Sequence, residues 1–464
     1  MAYDLIVIGS GPGGYVAAIR AAQYGCKVAV VEKALAFGGT CLHVGCIPTK
    51  ALLHFAEAYE TALHGETIGI RTNGVELDFP MMQRRKTQIV DGHARGIEFL
   101  FKKNKVESIP GFGKLLGEGR VEVDGLDGVR ELSAKNIILA TGSEARRLRG
   151  IVLPTDRLLT NVEILSLESV PESLAIIGTG AVGVEFASIY RSFGAQVTLL
   201  EALPRLVPLE DEEVSKELAR AFRKRRIEAH TGASVEGAEE TTDGVVVHFT
   251  DANGKAQEVT AEKLLVAVGR KPNTENIGLE NTAAETEQGF IKTDEWMQTT
   301  ETGVYAVGDI VADTPQLAHV ASMEGIVAAA HIAGRDVEPI NRRHSPAATY
   351  CEPQIGSVGL TEAAAREMGY AVKTGKFSFR GNSKASILGR HDGFVKVVAD
   401  EETDEILGVH IIGAQATEMI SEAVVAMTSE ATVESITRTI HSHPTLSEAV
   451  HEAFHDVYGM AINA

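Results

Sequence analysis

The chain has 464 residues, with 63 acidic against 44 basic side chains and a formal net charge of −19. That balance opposes any general affinity for nucleic acid or anionic lipid, and the length, at roughly 150 residues per domain, excludes a small stapled scaffold and predicts about three domains. Four cysteines cannot make a secreted disulfide framework at this size, no apolar run reaches the ~18 residues of a membrane span, and low aromatic content with abundant Ala, Val and Gly suits parallel-sheet α/β proteins.

Tyr3-Asp4-Leu5-Ile6-Val7-Ile8-Gly9 runs directly into a strand, so no targeting peptide is expected ahead of it and the expected location is cytoplasmic. The strand meets a glycine turn (Gly9, Gly11, Gly14), then a helix, a second apolar strand and Glu32. The first glycine permits the bend, the second lets the backbone approach a pyrophosphate, and the third lets the helix pack on the sheet. The pyrophosphate then rests on free N–H groups, and Glu32 is placed to accept hydrogen bonds from ribose hydroxyls.

Between this turn and the next part of the chain lies Gly38-Gly39-Thr40-Cys41-Leu42-His43-Val44-Gly45-Cys46-Ile47-Pro48-Thr49-Lys50. The cysteine spacing is too wide for a Cys-x-x-Cys zinc knuckle, and no neighbouring pair completes a tetrahedral site, so no metal is expected. Pro48 suits the first turn of a helix that puts Cys46 at its N-terminus, where free N–H groups, the dipole and Lys50 favour a thiolate. Those features suit a redox pair. The residues taken alone also allow two buried small apolar side chains.

Sliding the chain by 169 positions aligns Leu5–Glu32 with Leu174–Glu201 without a gap. The second copy has the strand Ala175-Ile176-Ile177, the glycines Gly178, Gly180 and Gly183, and Glu201 as its terminal acid. Two copies predict two dinucleotide sites, where one Gly-x-Gly-x-x-Gly would be weak evidence. Thiols pass electrons to a nicotinamide most readily through a flavin, so the first copy is assigned FAD and the second NAD. Glu201 would repel a 2′-phosphate, and Arg205 nearby weakens that preference. Glu185, two residues past Gly183, is expected in the first turn of the second helix, where the dipole favours a carboxylate.

The cysteine segment matches, nearly residue for residue, the active-site signature of the flavoprotein disulfide reductases, which the chain resembles over essentially its whole length. His43 stands where that family usually has Asn, and Thr49 where Ser is common. The resemblance implies an α/β fold with two Rossmann-like dinucleotide-binding domains, for FAD and NAD, plus a C-terminal α+β dimerisation domain. The implied boundaries are 1–148 (FAD, first part), 149–272 (NAD), 273–344 (FAD and central, second part) and 345–464 (dimerisation). Cys41 would be the interchange thiol that meets the substrate, Cys46 the thiol against the flavin, and Lys50 would pair with Glu185 beside the flavin ring. Ala140-Thr141-Gly142-Ser143 and Val266-Ala267-Val268-Gly269-Arg270-Lys271-Pro272-Asn273 resemble the family's crossing points. Flavin-side contacts are implied at Gly9, Gly11, Gly14, Glu32, Thr40, Lys50, Gly113, Thr141, Gly142 and Ser143. Further cofactor contacts are implied at Gly178, Gly180, Gly183, Glu185, Glu201, Val235 and Gly269. Asp309, in Tyr305-Ala306-Val307-Gly308-Asp309, would receive the ribityl hydroxyls. Gln316, Leu317, Ala318 and His319 would face the flavin pyrimidine, with His319 also readable as a helix cap.

From about residue 345 the pattern changes to alternating strands, such as Phe394–Val398 and Ile406–Gly413, followed by helical runs. His441-Ser442-His443-Pro444-Thr445-Leu446-Ser447-Glu448 then supplies a base and a carboxylate. A neutral His takes a thiol proton near pH 7, and a carboxylate on its other nitrogen fixes the tautomer. By resemblance His443 and Glu448 serve the disulfide of the opposite subunit, which makes a homodimer the active unit. The other 14 of the 15 histidines are read as surface or core groups, and Cys26 and Cys351 as packing residues. The implied reaction oxidises a dihydrolipoyl group on a partner, either a lipoyl-bearing acyltransferase or a glycine-cleavage carrier protein, with NAD+ as acceptor. A glutathione-type, NADPH-dependent reductase is the nearest rival, and Glu201 opposes it. A mercuric-ion reductase is opposed by the C-terminus, which carries no cysteine pair. A flavin-bearing structural subunit is opposed by the intact Cys41, Cys46, His443 and Glu448.

Overall fold

The computed structural model describes residues 2–148, 150–154 and 156–463. The chain divides into two units, one of residues up to Ala51 with Met81–Arg146 and Arg270–Arg342, the other of Leu52–Pro80, Arg147–Gly269 and the residues from Arg343 onward.

The first unit is built on a sheet ordered Glu107–Pro110, Val28–Glu32, Ala2–Ile8, Gly128–Leu139, Arg120–Gly125, Phe112–Gly117, with Val304–Ala306 also paired to Gly128–Leu139. Its inner strands run parallel, Leu5 lying opposite both Val28 and Asn136. Alternate residues feed two cores. Leu5, Val7, Val28 and Val30 pack with the helical residues Ala17, Ala21, Phe101 and Ala328, while Ile6, Ile8, Ala29 and Val31 pack with Leu115, Val121 and Val123. Burial on both faces explains why these strands read as unbroken apolar runs. Helix Pro12–Gln23 lies against helix Ala318–Ile332 at very short range, since a Cβ on Gly325 would sit 2.5 Å from the Gly13 carbonyl oxygen.

The second unit repeats the parallel arrangement, ordered Ile227–Thr231, Gln196–Glu201, Ser173–Ile177, Lys263–Val266, Leu158–Leu159. A three-stranded antiparallel sheet, Ser234–Glu240, Val245–Thr250 and Ala256–Ala261, covers one side. It packs Val245, Val247 and Phe249 onto Ala175, Leu200 and Leu264. The same unit holds an antiparallel sheet ordered Ala347–Thr349, Gln354–Gly359, Ile406–Gly413, Phe394–Asp400, Val372–Ser378. Its central strand Ile406–Gly413 is buried along its whole length, with Val395, Val397, Val409 and Ile411 packed on Ile420, Ala423, Ala449 and Phe454 of helices Ala416–Thr428 and Glu448–Asp456. No helix among the described residues is long and apolar enough to cross a membrane.

A buried ion cluster ties the two halves of this second unit. Asp211 caps helix Glu212–Lys224 by accepting the Glu213 N–H at 3.0 Å. Its carboxylate meets the Lys396 ammonium at 3.1 Å, and Lys396 also reaches Glu213 at 3.0 Å and Glu362 at 2.8 Å. Burial alone would discharge the lysine, but the three carboxylates outweigh it and hold its pKa above the ordinary range. The side chains of Lys396 and Asp211 are each only 3% exposed, so removing one partner strands a buried charge. Lys396→Met is therefore expected to cost about 3–5 kcal/mol in urea unfolding. A loss within about 0.5 kcal/mol, ordinary for a surface site, would show that the cluster is not a structural tie.

Candidate active site

The two glycine turns agree down to their hydrogen bonds. Gly9 and Gly178 have φ of +103° and +96°, and a Cβ on them would sit 2.2 Å from the Ala140 oxygen and 2.5 Å from the Ala267 oxygen. A Cβ on Gly14 or Gly183 would lie 2.0 Å from the Gly9 or Gly178 oxygen. These four glycines are demanded by the protein's own packing. Gly11 and Gly180 are not, because a Cβ on either meets no atom within 4 Å. Both have ordinary extended backbone and stand as N-caps that offer no side-chain hydrogen bond. Open space before free helix N–H groups is what a pyrophosphate requires.

The strand-end carboxylates are anchored alike. Glu32 Oε2 accepts the Ser10 N–H at 2.8 Å and hydroxyl at 2.6 Å, and Oε1 accepts the Ala34 N–H at 2.8 Å. Glu201 Oε2 accepts the Thr179 N–H at 2.8 Å and hydroxyl at 2.7 Å, and Oε1 accepts the Leu203 N–H at 2.9 Å. Each carboxylate is thus oriented and keeps acceptor capacity for ribose hydroxyls. Arg205 donates to the Pro208 oxygen at 2.8 and 3.3 Å and to the Glu210 oxygen at 3.2 Å. Its guanidinium is turned to its own loop. The residues fit two dinucleotides.

Cys41 sits in a helix of its own, Gly39–Val44, and Cys46 opens the next, Cys46–Leu63. Gly45 separates them at close quarters, where a Cβ would stand 2.9 Å from the Thr40 oxygen. The first of these helices is pressed onto the first glycine turn, because a Cβ on Gly39 would lie 2.8 Å from Gly11 Cα. Both sulfurs are free thiols, and Cys41 is hydrogen-bonded to Cys46. That bond, burial and the charge on Cys46 push the Cys41 thiol far up against the opposing effect of Lys50. Cys41 is thereby held protonated. His43 turns to the Phe37 oxygen at 2.9 Å.

Around this pair, in the same unit, Ser143 donates to Asp309 Oδ2. Arg270 donates to the Ser143 hydroxyl at 2.6 Å and carbonyl at 2.7 Å and stands 3.7 Å from Asp309. Strands Ser143–Ala145 and Arg270–Pro272 pair antiparallel and bring them together. Thr141 donates to the Asn273 oxygen at 2.7 Å, Gly142 takes φ +69°, and Gly113 lies where a Cβ would meet Ile8 and Val31 at 3.0 and 3.1 Å. Gln316 donates to the Asp309 oxygen at 3.2 Å. Leu317 caps helix Ala318–Ile332, so His319 is its second residue and not its cap. Sequence reasoning missed Glu324 in that helix. It is fully buried and accepts the Gly308 N–H at 2.7 Å and the Thr314 hydroxyl at 3.0 Å, holding the Gly308–Asp309 turn. Burial pushes its carboxyl up. One acid in a helix otherwise free of acidic residues was the available signal.

In the second unit Val235 lies opposite Phe249, and Gly269 takes φ +102°. Glu185 is the fifth residue of helix Ala181–Ser192 and not in its first turn. The helix starts after Gly180, so the dipole does not account for the acid; its carboxylate accepts the Tyr350 N–H at 2.9 Å. His443 Nδ1 lies 2.8 Å from Glu448 Oε1, and Glu448 Oε2 accepts the Thr445 N–H at 2.8 Å. Burial would raise the Glu448 carboxyl, but the Thr445 N–H and His443 bring it below its usual range. With Nδ1 committed, Nε2 is the nitrogen left for proton transfer. The His443 side chain is 68% exposed and lines a cleft of about 570 Å³.

Residues 3–325 match the model of the pyridine nucleotide-disulphide oxidoreductases, and residues 345–454 that of the dimerisation domain of the same proteins, which supports a homodimer. The chain is 45% identical to a dihydrolipoyl dehydrogenase of Bacillus subtilis, over 99% of each chain. It is 44% identical to that of Zymomonas mobilis over the same shares. Among solved structures it is similar to LpdA from Mycobacterium tuberculosis, with a TM-score of 0.89 at 27% identity, covering 97% of this chain and 98% of the other. It is also similar to the HOCl-induced flavoprotein disulfide reductase RclA of Escherichia coli, with a TM-score of 0.87 at 25% identity over 97% and 99%.

The contrast between glycines gives a direct test. Gly11→Ala and Gly180→Ala should leave thermal stability within about 0.5 kcal/mol of the parent while dinucleotide binding falls by at least roughly tenfold. Gly14→Ala and Gly183→Ala should destabilise the protein itself. Equal stability losses in all four would mean that Gly11 and Gly180 are needed by the fold and not by a ligand.

Proposed function

The chain belongs to the pyridine nucleotide-disulphide oxidoreductase family, and on that premise we propose that it is a dihydrolipoyl dehydrogenase using FAD and NAD+. The observation that carries the reading is the Cys41–Cys46 pair, hydrogen-bonded, with Cys41 held protonated, and packed on the first glycine turn. The first turn with Glu32, Ser143, Asp309 and the 316–319 loop would hold FAD. The second turn with Glu201 would hold NAD+. The chemistry FAD supplies when bound is acceptance of two electrons from a dithiol and their donation as hydride to a nicotinamide.

The chain's own residues then divide the work. In the oxidised enzyme Cys41 and Cys46 form the disulfide. A substrate thiolate attacks Cys41 Sγ, the Cys41–Cys46 bond breaks, and Cys46 leaves as a thiolate. The second substrate sulfur displaces Cys41, closing the substrate disulfide and leaving the enzyme pair reduced by two electrons. His443 takes the substrate thiol proton at Nε2, and Glu448 fixes its tautomer through Nδ1 and supports the imidazolium. Overall a dithiol and NAD+ become a disulfide, NADH and one proton. Lys50 would stabilise the Cys46 thiolate. The exposure of His443 in one chain supports its service to the opposite subunit's Cys41. A lipoyl-bearing acyltransferase or glycine-cleavage carrier protein is the proposed partner, and the cytoplasm the proposed location.

The thiol assignment predicts opposite spectra for two variants of the holoenzyme. Cys41→Ser should show a permanent long-wavelength absorbance from the Cys46 thiolate beside flavin, and Cys46→Ser should never develop it on reduction. The reverse pattern would exchange the roles of the two cysteines.

A further inference from the structure

The cleft that holds His443 and Glu448 is also lined by His441, which the reaction leaves unused and which has a carboxylate partner of its own. His441 Nε2 lies 2.6 Å from Glu422 Oε1 on helix Ala416–Thr428, and its Nδ1 lies 3.2 Å from the Thr439 oxygen. The side chain is 7% exposed, against 68% for His443. Its ring stacks on His451 with centroids 4.6 Å apart, and His451 Nε2 in turn stands 3.2 Å from His455 Nε2 and 3.1 Å from the Thr437 oxygen. Imidazoles this close repel if both are charged, and Glu422 favours a proton on His441.

The charges around His441 narrow its role. Glu422 raises its pKa against burial, and Thr439 and Glu448 add to the rise. Glu448 is in turn drawn below its usual range by the Thr445 N–H, by His443 and by His441. The other charged groups lining the cleft are occupied elsewhere. Arg438 is paired with Glu434, and Glu452 accepts from the Ile462 N–H and from Asn463. Glu448 is thus hydrogen-bonded to His443 and lines the same cleft as His441.

We propose that His441, clamped by Glu422, is a positioning residue for the His443–Glu448 pair, a cation when protonated that lies in the same cleft as Glu448 and sets how strongly it supports the imidazolium on His443. The inference rests on His443 acting as the thiol base. With the cation in place the carboxylate is partly satisfied, and His443 releases its proton readily for the next turnover. Without it Glu448 would hold the imidazolium more firmly, and a larger share of the base would be unusable on the acid side.

The test is the pH profile of kcat/KM for dihydrolipoamide oxidation by the holoenzyme, compared for wild type, His441→Gln, Glu422→Gln, His441→Lys and His443→Gln. Removing the cation should move the acid limb to higher pH, raising the ratio of kcat/KM at about pH 8 to that at about pH 6 by roughly threefold. NADH-driven flavin reduction should be unchanged in His441→Gln and Glu422→Gln. His441→Lys, which restores a cation, should return the limb toward wild type. Should His441→Gln fail to fold, Glu422→Gln reads the same shift. Profiles of His441→Gln or Glu422→Gln that differ from wild type only in height, with the limb absent in His443→Gln, would overturn the inference alone. A limb that survives in His443→Gln would overturn the reading of His443 as base.

Discussion

The site depends on one close approach of backbone to backbone, where Gly39 meets Gly11 so tightly that a Cβ would stand 2.8 Å from the opposing Cα. That approach fixes the redox segment to the turn whose free N–H groups suit a pyrophosphate. The turn is itself pinned, since Gly14 leaves no room for a side chain against the Gly9 oxygen. A dithiol held this way is placed by the sheet and not by a mobile loop. Orientation of this kind accounts for much of the rate gained by bringing reactants together.

Charge is handled by the same economy of short fixed contacts. Glu32 and Glu201 each take three hydrogen bonds, two of them from main-chain N–H groups, so their carboxylates point without relying on a cationic partner. Asp309 is met by Ser143 and Arg270, and Glu324 props the adjoining turn. Cys46 stands at a helix start and, with burial, pushes up the thiol of Cys41 against the pull of Lys50. Arg205, whose charge would have suited a 2′-phosphate, is spent on its own loop.

Sequence read well wherever the determinant was local. The glycine turns, the strand-end acids, the helix beginning at Cys46 and the His443–Glu448 contact each follow from a few neighbouring residues. What escaped was set by distant packing. The antiparallel strands Ser234–Glu240, Val245–Thr250 and Ala256–Ala261 are short, and their pattern shows only against Ala175, Leu200 and Leu264. Glu185 fell one turn further along than expected because Gly180 decides where its helix begins. The six-residue helix carrying Cys41 depends on left-handed Gly38 before it and Gly45 after it, a conformation that propensity does not announce. Lys396 looks like any strand lysine until Asp211, 185 residues away, is beside it.

The central claim is that this geometry oxidises a dihydrolipoyl dithiol with NAD+. Its most direct measurement is a steady-state comparison of dihydrolipoamide and reduced glutathione, each with NAD+ and with NADP+, on the purified holoenzyme. Turnover should be confined to dihydrolipoamide, with NAD+ preferred over NADP+ by at least roughly tenfold, the equivalent of about 1.4 kcal/mol. Turnover of glutathione, or a preference for NADP+, would contradict it.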